Sequence, residues 1–165
     1  LREVMTTKYG ESKVANHLRS EGKGDTLCYA TQVNQDALQQ AFEQTIDAAL
    51  VVGGKNSSNT FQLYRGCAER FGEHAHDIQS ESNLLSLKTV QHYIFPYNLP
   101  NGSTTIEEKR PFFDTSVKKP HILLTGGASC PDGIIQQVIS RINSFFPPEE
   151  IRSMSEVLEA FHSET

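Results

Sequence analysis

Apolar positions recur along this chain with two periods that alternate. Between Gln32 and Gln44, the residues Val33, Ala37, Leu38, Ala41 and Phe42 follow a 3.6-residue period carried by good helix formers, which predicts a helix. Ile46 to Val52 is a short apolar run with β-branched residues closed by Gly53-Gly54, as in a buried strand of a parallel sheet. The helical period returns from about Ser58 to Phe71, with Phe61, Tyr64, Ala68 and Phe71 inward. The same order then repeats. It gives a short strand over Ala75 to Ile78, a short helix over Ser80 to Leu87, and a strand over His121 to Thr125 that ends in Gly126-Gly127. The next helix has Pro131 at its first position, Asp132 complementing its positive end, and Ile134, Ile135, Val138, Ile139 and Ile142 on its apolar face.

The ends and one internal stretch break this alternation. Leu1, Val4, Met5 and Tyr9 share a helical face, and the polar stretch from Arg19 to Gly24 ends it. Pro147-Pro148 stops the Pro131 helix, and Ser153 with Glu156 forms a capping-box signature for a last helix carrying Val157, Leu158 and Phe161. Residues 89–119, with Pro96, Pro100, Asn101-Gly102 and Pro111, show no sustained period and read as one long functional or mobile loop. Its aromatics, Tyr93, Phe95, Tyr97, Phe112 and Phe113, suit it to covering a hydrophobic surface. The fold class is α/β: a small, open, mostly parallel sheet flanked by helices. Residues 1–23 form a connector helix, 24–146 the α/β lobe, and 147–165 a C-terminal helical tail.

Composition narrows the functions. The 165 residues carry 37% hydrophobic and 21% charged side chains, enough apolar content for one domain's core. The longest apolar run, Ala48-Ala49-Leu50-Val51-Val52, is far too short to cross a bilayer. The net charge of −5, with Lys and Arg scattered, argues against nucleic acid as a partner. Three cysteines without a CxxC pair suit a reducing compartment, with the cytoplasm the expected location. The start Leu1-Arg2-Glu3-Val4-Met5 has neither an initiator Met nor a signal-peptide layout, so the chain reads as a piece of something longer.

Two turns carry the sharpest chemistry. Gly53-Gly54-Lys55-Asn56-Ser57-Ser58-Asn59-Thr60 joins a predicted strand to a predicted helix. Its glycines admit a close anion, the helix start offers unpaired N–H groups, and Ser57, Ser58 and Asn59 add side-chain donors. The spacing is neither GxxxxGK[ST] nor GxGxxG, and a capped polar loop explains it equally well taken alone. A second turn, Gly126-Gly127-Ala128-Ser129-Cys130-Pro131-Asp132, follows another strand. In an open parallel sheet both turns lie on the carboxyl edge, so Ser57, Ser58, Asn59 and Ser129 converge on a ligand with more than one phosphate. Cys28 precedes a helix, which lowers a thiol's pKa and suits metal ligation or nucleophilic attack, though a free Cys is often only a small buried hydrophobe. Cys67 reads as packing, and Cys130 is ambiguous. His74-Ala75-His76 on a strand would put two rings on one face, but no third metal ligand is in evidence.

Three stretches together resemble the LytB family of hydroxymethylbutenyl diphosphate reductases: DTLCYATQVNQDAL (Asp25 to Leu38), LVVGGKNSSNT (Leu50 to Thr60) and TGGASCPDGII (Thr125 to Ile135). The stretch Met5-Thr6-Thr7-Lys8-Tyr9-Gly10 is similar to the segment before the cysteine motif in the plant and cyanobacterial branch. The resemblance is weakest from about Thr89 to Lys119, which looks longer than in typical members. Cys130 departs from the small residue or Thr usual at its position.

The resemblance implies three α/β lobes arranged as a cloverleaf around a [4Fe-4S] cluster, with one Cys ligand from each lobe and one iron open to substrate. This chain resembles the third lobe. By motif, Cys28 matches a cluster ligand and Thr31 an active-site hydroxyl, while Ser57, Ser58, Asn59 and Ser129 match diphosphate-binding groups. The implied reaction is reductive removal of an allylic hydroxyl, giving isopentenyl and dimethylallyl diphosphate in the methylerythritol phosphate route to isoprenoids. The implied partners are the allylic diphosphate, the sister lobes and an electron donor such as ferredoxin or flavodoxin, in the cytoplasm or, for a plant-type source, the plastid stroma. The family's other two cysteines, its substrate-binding histidines and its proton-delivering acid belong to an N-terminal half that these residues do not match, so this chain alone is expected to be inactive. Two other functions fit the same residues. One is a non-enzymatic diphosphate- or nucleotide-binding module, the other a redox sensor working through Cys28 and Cys130.

Overall fold

The burial pattern of one strand organises the molecule. In the computed structural model, which describes residues 6–7, 29–96, 106–153 and 155–156, strand β1 (Ala48–Val52) is buried along its whole length. Its side chains alternate between two cores, as the pleat requires. Ala49 and Val51 pack with Leu38, Leu63, Tyr64 and Cys67, while Ala48, Leu50 and Val52 pack with Ile78, Leu84, Val90 and Val138. Helices α1 (Tyr29–Ala41) and α2 (Ser58–Phe71) supply the first core, and α3 (Asp132–Asn143) supplies the second. Both faces of β1 are therefore covered by helices. This explains why it reads as a continuous apolar run rather than an alternating one.

β1 pairs in parallel with β2 (Ala75–Ile78) on one side and β6 (Ile122–Gly126) on the other, giving the order β2-β1-β6. Val52 is in register with Ile78 and with Gly126, so all three strands end at one edge. Asp47 locks the opposite end, accepting from the His121 N–H at 2.7 Å. Ser57 caps α2 by accepting from the Thr60 N–H at 3.2 Å, and Gly72, at φ 57°, ends that helix in the left-handed region that a residue with a Cβ rarely adopts.

Two sequence expectations are corrected here. Ser80 to Leu87 is not a helix. It is a 3-10 turn (Glu81–Asn83) leading into strand β3 (Leu84–Ser86). Asn83 shapes this turn: its Oδ1 accepts from the N–H groups of Gln79 and Ser80, and its Nδ2 donates to the Gln91 carbonyl, which ties the turn to the strand that follows β3. Residues 89–119 are not one irregular loop either. They contain β4 (Thr89–Tyr93) and β5 (Glu107–Pro111), which form an antiparallel sheet with β3 in the order β3-β4-β5. The alternation in β4 is concealed because a histidine, His92, takes a buried position beside Val90. Four of the aromatics, Tyr93, Phe95, Phe112 and Phe113, are buried in the two cores, and Tyr97 lies outside the described residues. Smaller shifts affect other ends. α1 begins three residues before Gln32, and Pro131 stands as the N-cap of α3 rather than its first helical residue.

Ser153 and Glu156 make the expected reciprocal capping box, with Glu156 Oε2 accepting from the Ser153 N–H and Ser153 Oγ accepting from the Glu156 N–H. The rest of the last helix, and the connector apart from the helical residues 6–7, lie outside the described residues. No helix among the described residues is long and apolar enough to cross a membrane.

The meander seals the outer edge of β2 with side chains. The Asp77 N–H donates to His92 Nδ1 at 3.0 Å, the other ring nitrogen of His92 lies 3.4 Å from the Tyr64 hydroxyl, and His76 Nε2 donates to the Phe112 carbonyl at 3.0 Å. His76, Asp77 and His92 are almost completely buried, and burial favours the neutral form of each. It lowers His76 to about 4 and His92 to about 3, and raises Asp77 to about 8.

The two effects act in opposite directions on stability. Below the ordinary imidazole value of 6.5, unfolded histidines bind protons that His76 and His92 refuse, so stability falls as pH drops towards 4. Between 3.8 and about 8, folded Asp77 keeps a proton that the unfolded chain releases, so stability falls as pH rises. Where only Asp77 acts, above about pH 6.5, the slope is about 1.4 kcal/mol per pH unit. Thermal melting of Asp77→Asn should show the decline between pH 6.5 and 8 removed and the acid limb retained; an unchanged alkaline limb would mean that Asp77 is ionised in the fold.

Candidate functional site

The common end of β1 and β6 brings the two glycine turns side by side. The Gly127 N–H donates to the Val52 carbonyl at 2.9 Å, extending the β1 ladder into the second turn, and the Gly53 N–H donates to the Ile78 carbonyl at 3.0 Å. A side chain then joins the turns. Asn59, in the first turn of α2, accepts from the Ala128 N–H through Oδ1 at 2.7 Å, while its buried Nδ2 has no hydrogen-bond partner.

The glycines serve a purpose that the sequence did not disclose. None of Gly53, Gly54, Gly126 and Gly127 has a positive φ, so these turns do not need glycine for its conformational freedom. The reason is Thr60, which is fully buried between the turns. A Cβ on Gly53 would lie 2.1 Å from Thr60 Oγ1, and one on Gly127 would lie 2.4 Å from it. A Cβ on Gly54 would meet nothing within 4 Å. Thr60 thus fills the seam between the loops, and Gly53 and Gly127 leave the room it occupies.

Each candidate residue that the structure describes has a definite place. The Ser57 hydroxyl accepts from the Thr60 N–H, leaving its own hydrogen free to donate outward. Ser58 and Ser129 are exposed, Ser58 in the first turn of α2 and Ser129 in the turn after β6. The first N–H groups of α2 have no partner within the helix, and the helix dipole adds positive potential there. Helix α1 joins the same edge, because Asn34 Nδ2 donates to the Gly126 carbonyl at 3.2 Å. Thr31 lies in α1, but its side chain is outside the described residues, and Cys28 lies outside them altogether.

Sequence reasoning missed Thr60 as the seam and Asn34 as the tie. The closing Thr of GGKNSSNT was visible, but nothing in a linear pattern shows which loop a buried hydroxyl faces.

Cys67, Cys130 and His76 sit in surroundings that favour their neutral forms. Cys67 is buried in α2, and desolvation pushes its thiol up to about 12. The Cys130 thiol is raised by partial burial and by the nearby Asp132 carboxylate, which disfavours a reactive thiolate. The paired histidines do not share a strand: His74 ends a 3-10 turn, and His76 is buried against the Phe112 carbonyl. Among the described residues no group of three or more His, Cys, Asp or Glu side chains is placed to hold a metal ion.

The Thr60 seam generates a double-mutant test. Gly127→Ala should destabilise by about 1–3 kcal/mol through overpacking. Thr60→Ala should relieve most of that cost, because the Thr60 Cβ lies 3.6 Å from the new methyl position. At Gly53 the same rescue should be incomplete, since the Thr60 Cβ itself would be at 2.9 Å. Denaturant melts of the single and double variants measure both differences.

Comparison with known proteins gives the family. The family model described as LytB protein matches residues 3–143. The 4-hydroxy-3-methylbut-2-enyl diphosphate reductase of Gloeobacter violaceus is 33% identical over 147 residues, covering 84% of this chain and 30% of the relative. That of a Nostoc species is 33% identical over 139 residues, covering 84% and 31%. A solved structure of (E)-4-hydroxy-3-methyl-but-2-enyl diphosphate reductase, the terminal enzyme of the non-mevalonate pathway, aligns with a TM-score of 0.48 at 24% identity, covering 84% of this chain and 39% of that one. The chain therefore spans about a third of the length of the relatives it matches. With most of its length matched by the family model, this chain belongs to the LytB family.

Proposed function

We propose that this chain is the diphosphate-holding lobe of a LytB-type reductase and that Ser57, Ser58, Asn59 and Ser129 grip the diphosphate of an allylic substrate. The observation that carries the reading is the Asn59 bridge. One side chain fixes both turns through Oδ1 and leaves Nδ2 as a buried, unpartnered donor. A buried donor without a partner costs roughly 1–3 kcal/mol, and an anion in the cradle would satisfy it. The hydroxyls of Ser57, Ser58 and Ser129, together with the N-terminal N–H groups of α2, would supply further charge-assisted hydrogen bonds. Their role is positional: they hold the diphosphate so that the allylic hydroxyl is presented at a fixed place and orientation.

In this reading Cys28 ligates a [4Fe-4S] cluster and Thr31 offers a hydroxyl near the reacting carbon, with the other cluster ligands supplied by sister lobes. The described part of the chain supports such an arrangement. α1 begins at Tyr29, directly after Cys28 in sequence, and Asn34 ties this helix to the turn after β6. A thiolate preceding α1 would have the helix dipole in its favour. Bound there, the cluster would deliver the two electrons of reductive dehydroxylation, drawn from a donor such as ferredoxin or flavodoxin. The diphosphate module without redox chemistry shares the cradle but not the cluster. The redox-sensor alternative is disfavoured by the raised Cys130 thiol.

Calorimetric titration of this chain with inorganic pyrophosphate tests the cradle. Binding should weaken by about tenfold or more in Asn59→Ala and in Ser129→Ala, the scale of a lost hydrogen bond to a charged group. Equal affinity in wild type and both variants would reduce the turns to capped polar loops. For the cluster, anaerobic reconstitution of the chain with the N-terminal lobes of a relative should give visible iron-sulfur absorbance that Cys28→Ser removes; absorbance retained in that variant would leave only a diphosphate-binding module.

A further inference from the structure

Beside the cradle, a cleft of about 370 Å³ opens between α2 and the end of the meander. Phe61, Phe95 and Pro96 form its apolar wall, the hydroxyl-bearing Ser57 and Ser58 form its edge, and among the described residues the only charged one lining it is Lys55. Lys55 has a partner already. Its Nζ lies 3.0 Å from Glu107 Oε1 and 5.3 Å from the centre of the Tyr93 ring, so it reaches from the anion loop to β4 and β5. The second oxygen of Glu107 accepts from Gln91 Nε2 on β4.

Charge balance gives this pair its meaning. The candidate phosphate ligands Ser57, Ser58, Asn59 and Ser129 are all neutral, and the turn after β6 brings an anion, Asp132, near Cys130. A diphosphate carries two or more negative charges, and among these loop residues only Lys55 can compensate them. The Lys55 and Glu107 side chains are 42% and 32% exposed, and an ion pair so open to water is screened and weakly held, which makes it easy to break. Glu107 keeps its bond to Gln91 when Lys55 departs, so release strands neither group.

We propose that Lys55 is the phosphate-binding cation of this site, held in reserve by Glu107 and transferred to ligands whose head group carries at least two negative charges. The inference rests on the diphosphate reading above. It adds a charge filter, because a lone carboxylate offers Lys55 nothing that Glu107 does not already provide, whereas a polyphosphate outbids it.

The test is pyrophosphate calorimetry at several salt concentrations on the 165-residue chain, with thermal melts to confirm that each variant folds. Lys55→Met should weaken binding by about tenfold and flatten its salt dependence, and Lys55→Arg should largely restore both. Glu107→Gln should tighten binding by about threefold, because the reserve partner loses its charge, and this gain should vanish in the Lys55→Met background. If Glu107→Gln instead weakens binding in step with Lys55→Met, the pair is a brace for the loop and the proposal falls. If Lys55→Met leaves affinity unchanged while Asn59→Ala and Ser129→Ala abolish it, the proposal falls and the diphosphate cradle stands. If Lys55→Met abolishes binding while Asn59→Ala and Ser129→Ala do not, Lys55 remains the anion's partner and the four-residue cradle is wrong.

Discussion

Everything at the candidate site depends on β1 lying parallel to β6 in one register. Because Val52 sits opposite Gly126, both strands release their chains at the same level, and two turns remote in sequence become one surface. Polar groups then turn this proximity into a fixed geometry. Asn59 takes the Ala128 N–H, Gly127 takes the Val52 carbonyl, and the fully buried Thr60 fills the space between the turns. A one-residue slip of β6 would break all three at once and move its side chains to the opposite face.

The antiparallel meander gives this small parallel sheet a boundary. β2 would otherwise expose an unpaired edge, and natural sheets seldom leave one bare. Here the cover is made of side chains: His92 accepts from the backbone of Asp77, and His76 reaches the carbonyl of Phe112. The same meander touches the anion loop through Glu107 and Lys55, so the element that closes the sheet also sets the electrostatics of the candidate site.

The parallel layer was legible in the sequence because each of its parts is locally declared. The all-apolar run of β1 announces a strand covered on both faces, the glycine turns announce its end, and Ile134, Ile135, Val138 and Ile142 announce the covering helix. The meander was not legible because its strands disguise themselves. β4 buries a histidine where an alternation would show an aliphatic residue, and β5 reads Glu-Glu-Lys-Arg-Pro, a charged edge strand with little apolar signal. At the site, the residue types around the turns pointed to an anion. The roles of Thr60 and Asn34 depend on contacts across long stretches of chain, which no local pattern encodes. The glycines were read for the room they leave a ligand, but in the structure Gly53 and Gly127 make room for Thr60.

The span of those contacts has a kinetic meaning. The tie from Asn34 to Gly126 closes 92 residues of chain, and that from Asp47 to His121 closes 74. Contacts of such sequence separation are repaid only after a large loop-closure entropy has been met, which slows folding and postpones them. On a chain emerging from the ribosome, β1, α2 and β2 can form while β6 is still unsynthesised, and the cradle has no second wall until residue 128 has appeared. The joining of the two glycine turns is then among the last structural events on the nascent chain, and any ligand that needs both turns would select molecules in which the longest loops have closed.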